Sequence, residues 1–259
     1  MRKRLWIGAA VLLLLDIVLF GLLIYQRKIT VNHPSEAAYP IRGVDVSYYQ
    51  GEINWDVLAE ENIDFAFIKA TEGSSHIDTK FKENWEQSGE TGLKRGAYHF
   101  FSFESEGETQ AEHFISVVPK EEGMLSPVVD IEFYGDRFHN KPDVEETRRQ
   151  LRSLLDRLEE YYGVKPMIYA TESSYSTYIR GAFDEYPLWI RNVYFSPNMG
   201  MPGKWTFWQF DSEAKLQGYS GEEEHIDLNV FYGSEKEWTD FLENHSISGN
   251  DDTIMIQND

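Results

Sequence analysis

Three short apolar runs in this chain carry acids where apolar side chains would be expected. The run Val128-Val129-Asp130-Ile131-Glu132-Phe133 is one. In a strand, alternate side chains share a face, so Asp130 and Glu132 lie together while Val129, Ile131 and Phe133 turn the other way. Gly43-Val44-Asp45-Val46 places Asp45 in the same manner, and Ile226-Asp227-Leu228-Asn229-Val230 pairs Asp227 with Asn229. A carboxylate buried without a partner costs several kcal/mol, and a fold seldom repeats that cost without use. Neighbouring carboxyls raise one another's pKa, which keeps one protonated beside an anion. An acid and an anion in one cleft is what glycoside cleavage requires. The same four acids also read as a structural network neutralised by Lys69 or Arg191.

Residues around these runs suit a sugar cleft. Lys69 and Thr71 end one candidate strand, and Tyr98, His99 and Phe100 end the next. Tyr169, Trp189, Trp208 and Gln209 lie on later ones. Lys69, Tyr98, Tyr169, Trp189, Gln209 and Asn229 are the candidate substrate-binding residues. Each alone is a weak signal: Tyr98 and Phe100 are more often core residues in such positions, and His99 more often a hydrogen-bonded structural histidine. There are no cysteines, which excludes disulfides, thiolate catalysis and Cys-based zinc sites. The seven histidines show no HExxH or similar spacing, so neither a metal nor a cofactor is expected.

The elements that must position these residues alternate along the chain from Ile41 onward. Candidate strands are Arg42–Ser47, Asp64–Thr71, Lys94–Phe101, Pro127–Phe133, Lys165–Ala170, Leu188–Asn192, Trp205–Phe210 and His225–Phe231. Candidate helices include Trp55–Glu61, Thr79–Ser88, Glu108–Val118 and Asp143–Tyr162. The last has Val144, Leu151, Leu154, Leu155 and Leu158 on one face, starts at Asp143 after Pro142, and stops at Gly163. This alternation predicts an α/β fold, a parallel β/α barrel of about eight strands. The Pro/Gly-rich stretch 195–203 is too short for a full helix, so an irregular barrel is expected. In a barrel the carboxyl ends of the strands form the active-site face, and each acid lies late in its strand or within it. An open doubly wound sheet is the alternative, but no glycine-rich phosphate loop follows the first strand.

The charge balance narrows the partners. With 44 acidic and 24 basic residues the net charge is -20. Five of the basics (Arg2, Lys3, Arg4, Arg27, Lys28) flank one apolar segment, which leaves the rest more acidic still. That argues against phosphate-tracking nucleic-acid binding and against loose adhesion to anionic wall polymers, so any wall substrate would have to be held by specific contacts. Aromatic content of 15% serves a large core as well as sugar stacking.

Leu5 to Tyr25 is an apolar stretch with one charge, Asp16, and long enough as a helix to cover about 30 Å, the thickness of a bilayer core. Met1-Arg-Lys-Arg precedes it, which predicts a cytoplasmic amino terminus and an extracellular domain. A cleaved signal peptide is the alternative; no A-x-A site follows closely. The chain therefore divides into a basic start and membrane anchor (1–25), a polar linker (26–40), a catalytic domain (41–244) and a polar tail (245–259).

Six phrases follow one another in order: Gly43-Val44-Asp45-Val46-Ser47, Phe67-Ile68-Lys69-Ala70-Thr71-Glu72-Gly73, Gly96-Ala97-Tyr98-His99-Phe100, Val129-Asp130-Ile131-Glu132, Trp208-Gln209-Phe210 and Asp227-Leu228-Asn229. Together they resemble the glycoside hydrolase family 25 lysozymes, the Chalaropsis-type muramidases, over about Ile41 to Tyr232. Asn54-Trp55, Phe81 and Asn84 also fit. The resemblance implies a flattened, irregular β/α barrel. It implies hydrolysis of the β-1,4 bond between N-acetylmuramic acid and N-acetylglucosamine in peptidoglycan. The family's general acid/base falls on Glu132, its Asp partner on Asp130, and its first- and last-strand carboxylates on Asp45 and Asp227. The anchor, the acidic tail and the lack of a wall-binding repeat depart from a free lytic factor. They suggest local wall remodelling at the membrane of a Gram-positive bacterium. A non-catalytic wall-binding scaffold and a hydrolase of another N-acetylated glycan are the competing readings.

Overall fold

A computed structural model describes residues 2–26, 32–200 and 204–248. Of the features read above, Arg27 and Lys28 and the tail from residue 249 lie outside the described residues. The amino-terminal helix α1 (Arg2–Tyr25) is, among the described residues, one helix long and apolar enough to cross a membrane by length and composition.

Eight strands close into a barrel. They are β1 (Arg42–Val46), β2 (Phe65–Glu72), β3 (Lys94–Phe100), β4 (Val128–Ile131), β5 (Met167–Thr171), β6 (Leu188–Arg191), β7 (Phe207–Ala214) and β8 (Ile226–Phe231). Neighbours from β2 to β7 pair in parallel, and β1 joins β2 in parallel. The parallel expectation fails at β8, which runs antiparallel to both β7 and β1 and closes the ring. Its physical reason is the connection: a parallel return needs a crossover of a dozen or more residues, usually a helix. The stretch after β7 instead makes a small two-stranded pairing of Tyr219–Ser220 with Glu52–Ile53.

Helices cover only part of the barrel. Between the first five strands lie α2 (Trp55–Ala59), α3 (Phe81–Ser88), α4 (Gly107–Val117) and α5 (Val144–Tyr162). Alternation along the strands sorts two cores. Val129 and Ile131 turn outward into the layer shared with Phe114, Leu151, Leu155 and Leu158. Phe65, Phe67, Val128, Met167, Trp189 and Phe207 fill the barrel itself. The α5 boundaries follow local chemistry: the Asp143 side chain accepts from Glu146 N at 2.9 Å, and Gly163 ends the helix at φ 74°, a left-handed conformation that glycine adopts at no steric cost.

The helical turns over Glu172–Ser174 and Tyr175–Ile179 and a longer helix near the carboxyl end were missed in the sequence. In α6 (Glu235–His245) a capping box joins Ser234 and Glu237, and Trp238, Phe241 and Leu242 pack into the barrel interior. Trp238 lies 5.7 Å from Phe65 and 5.1 Å from Phe231 by ring centroids, so α6 plugs the end of the barrel opposite the acids. Its signal was legible as Ser-x-x-Glu before an i, i+3, i+4 apolar set. Beyond it, Ser246 bridges Leu125 and Ile247 is buried.

Candidate active site

The acids converge. A cleft of about 560 Å³ opens at one end of the barrel and is lined by Asp45, Asp130, Glu132 and Asp227. That volume lies in the range of small-ligand sites. Asp227 comes early in β8, and only the reversed direction of that strand brings it to the same end as the others. Asp45 and Asp227 are register partners across β1 and β8. Lys69, Tyr98, Tyr169, Trp189 and Gln209 also line the cleft. Asn229 does not: it is fully buried behind Asp45. His99 is also buried, with Nδ1 2.7 Å from Thr71 Oγ1 and Nε2 3.0 Å from Gln110 Oε1. Burial pushes its pKa down to about 4, so it is a neutral structural histidine outside the cleft.

A chain of side-chain hydrogen bonds fixes Asp45. The Tyr169 hydroxyl donates to Gln209 Oε1 at 3.0 Å, and Gln209 Nε2 donates to both Asp45 oxygens at 2.9 and 3.1 Å. From the other side, Trp189 Nε1 donates to Asn229 Oδ1 at 2.8 Å, and Asn229 Nδ2 donates to Asp45 Oδ1 at 2.7 Å. Indole is a donor only, so Asn229 must turn its nitrogen toward Asp45. Burial raises the Asp45 pKa, while bonds from Asn229, Gln209 and Asp227 pull it down. Burial and the Asp45 charge hold Asp227 well above the ordinary carboxylate range. Of this pair, Asp227 therefore keeps the proton and Asp45 is the anion.

The second pair differs in depth. Asp130 is buried, and its Oδ1 has no hydrogen-bond partner among the described residues. Glu132 lies just past the end of β4 and is partly exposed. Burial, then the Glu132 charge, raises Asp130 well above its ordinary value. Burial also raises Glu132, and Arg191 opposes that rise most strongly. Two cations thus serve the cleft. Lys69 donates to Glu72 Oε2 at 2.8 Å, with its ammonium 4.9 Å from the Phe100 ring centroid, and Arg191 extends from the end of β6 toward Ser212.

Arg191 entered the sequence reading only as a neutralising partner; it lines the cleft with Phe100. Tyr49, Gln50, Glu223 and His225 also line it and were not foreseen. Tyr49 and Gln50 sit on a single 3-10 turn, Tyr48–Gln50, and Glu223 in the loop before β8, where no periodicity reports orientation; His225, read as the first residue of the last candidate strand, lies just before β8. Tyr48 and Tyr49, with centroids 4.0 Å apart, gave an aromatic-pair signal after β1.

The model for glycosyl hydrolases family 25 matches residues 44–219 of this chain. The chain belongs to glycoside hydrolase family 25. A family 25 glycosyl hydrolase from Bacillus anthracis superposes with a TM-score of 0.76 at 47% identity, covering 81% of this chain and 96% of that one. Lysozyme M1 of Streptomyces globisporus is 32% identical over 211 residues, which is 75% of this chain and 68% of the relative. The N,O-diacetylmuramidase of Chalaropsis sp is 30% identical over 198 residues, 70% of this chain and 92% of the relative. The family 25 cleft here is thus that of a glycoside hydrolase, with its barrel closed by an antiparallel last strand.

Proposed function

We propose that this family 25 enzyme hydrolyses the β-1,4 bond between N-acetylmuramic acid and N-acetylglucosamine in peptidoglycan, with Glu132 as general acid/base. The observation that carries the reading is the difference between the two β4 acids. Glu132 reaches the cleft mouth with a raised pKa, and Asp130 lies deeper with a bare acceptor oxygen. Lysozyme and muramidase relatives supply the substrate class.

In this scheme protonated Glu132 gives its proton to the glycosidic oxygen as the C1–O bond breaks. Positive charge grows at C1. Asp130, which burial keeps protonated, accepts through its unpartnered Oδ1 from the N–H of the substrate's N-acetyl group and turns the acetyl carbonyl oxygen toward C1, where a bond closes; this is among the exceptions to the two-carboxylate scheme. Water then attacks C1 as the bond from C1 to the acetyl oxygen breaks, which restores the N-acetyl group, and the water's proton passes to Glu132, now a carboxylate. Asp45, held by Gln209 and Asn229, and protonated Asp227 bind sugar hydroxyls. Lys69, Tyr98, Tyr169 and Trp189 shape the wall against which the ring lies, and Tyr49 stands at the rim.

Glu132→Gln tests the assignment. The variant is expected to fold with a neutral-pH melting temperature at or above wild type and to lose about 10²–10⁴-fold in release of reducing ends from purified walls. Wild-type release would remove Glu132 from the mechanism. Digestion of chitin in parallel separates a muramidase from a hydrolase of other N-acetylated glycans, and binding without new reducing ends would mark a scaffold. We place the enzyme at the membrane through α1, with the barrel outside; membrane fractionation and protease access on intact cells test that placement.

A further inference from the structure

The polar segment before the barrel is docked on it. Asn32 is buried, and its Nδ2 donates to Asn192 O and to Phe210 O, both at 3.0 Å. The chain then runs past the start of β1 and the Trp208 side of β7. Arg42 Nη1 donates to Pro34 O at 3.2 Å, and the Tyr39 ring lies 5.9 Å from Trp205 and 6.0 Å from Trp208. The point of docking is specific. Asn192 directly follows Arg191, whose side chain lines the cleft, so the segment attaches at the catalytic end of the barrel.

The same asparagine builds an aromatic loop. Asn192 Oδ1 accepts from Tyr194 N at 3.0 Å and from Phe195 N at 2.8 Å, while its backbone oxygen also accepts from Trp208 Nε1 at 2.8 Å. Phe195 is 51% exposed and Tyr194 36%. A cleft of about 630 Å³ is lined by both rings, by Asn32 and by Phe20 and Ile24 of α1. Covalent geometry adds a bound: from Gln26 to Asn32 the chain spans at most about 22 Å. An exposed aromatic pair beside a short tether from an apolar helix has the chemistry of an interfacial membrane contact. The chain is net acidic, which disfavours broad adhesion to anionic headgroups, so contact through two rings suits it better.

We propose that Asn32 locks the barrel onto its anchor so that the Tyr194–Phe195 loop rests in the lipid headgroup region and the catalytic cleft opens beside the bilayer. The enzyme then works on the glycan nearest the membrane. The proposal rests on α1 being retained as an anchor.

The chain has no native cysteine, so single labelling sites can be introduced. The full chain carrying Phe195→Cys or, at the opposite end of the barrel, Glu90→Cys is labelled with a fluorophore. Each is reconstituted in phosphatidylethanolamine–phosphatidylglycerol vesicles doped with a headgroup-nitroxide lipid. Expected is quenching several-fold stronger at position 195 than at 90. Adding Asn32→Ala to the Phe195→Cys chain is expected to reduce that quenching toward the position-90 level while flotation with vesicles persists. Equal quenching at the two positions in protein that floats overturns the docking. Protein that fails to float overturns the anchor instead, and the docking with it.

Discussion

Asn229 Nδ2 stands 2.7 Å from Asp45 Oδ1, and that bond gives a residue outside the cleft a hold on one inside it. The indole of Trp189 fixes which end of the amide faces Asp45. Asn229→Asp would replace the donor with an acid, and like charges in contact raise each other's pKa. A group whose folded pKa is raised favours folding below its unfolded pKa and loses that contribution as pH rises through the folded one. The variant should therefore melt below wild type by a margin that widens from acidic to neutral pH, with a reduced kcat. A margin independent of pH in thermal melts would contradict a charged Asp45 at that contact.

Arg191 is the strongest charge acting on Glu132, and it opposes the rise that burial imposes. The working acid is protonated Glu132, so activity is present below its pKa and falls above it. Arg191→Gln removes the opposing charge and should move the basic limb of the pH–activity profile to higher pH. A limb that stays in place or moves down would show that Arg191 does not tune Glu132.

Asp130 is held well above the ordinary carboxylate range by burial and by Glu132. Its contribution to folding is intact below the unfolded pKa and is lost as pH climbs through the folded value. Asp130→Asn should therefore raise Tm at neutral pH, by roughly 2–4 °C for each kcal/mol relieved. The gain should vanish in acid, and activity should fall about 10²-fold or more. A lowered Tm at neutral pH would show that Asp130 is a stabilising anion.

Gly107 opens α4 where that helix crosses α5. A Cβ there would lie 1.9 Å from Gln150 O, and its own N–H donates to Gln150 Oε1 at 2.7 Å. The backbones must part to admit alanine, and such overpacking costs about 1–3 kcal/mol. Gly107→Ala should lower Tm while leaving the activity of the folded enzyme intact, because this contact lies in the outer layer. Chemical denaturation and wall digestion at low temperature check both halves.

Local chemistry carried much of this protein. Strand parity alone put Asp130 and Glu132 on one face and sent Val129 and Ile131 to the other. The leucine spacing of α5, its Asp143 cap and its Gly163 stop were equally readable, since each depends on neighbours within a turn or two. The α6 plug escaped because a short amphipathic run near a polar tail does not announce that its apolar face closes a barrel.

What the order of residues determined was therefore the kind of element and the face on which each acid stands. What tertiary structure decided was where those faces meet. Asp227 reaches Asp45 because β8 runs antiparallel to β1, and a strand's own residues do not fix its direction relative to a partner far away in sequence. Asn229 lies behind the cleft, and Arg191 acts on Glu132, for the same reason. Pairing and burial arise between distant segments, so they exist only once the barrel has closed.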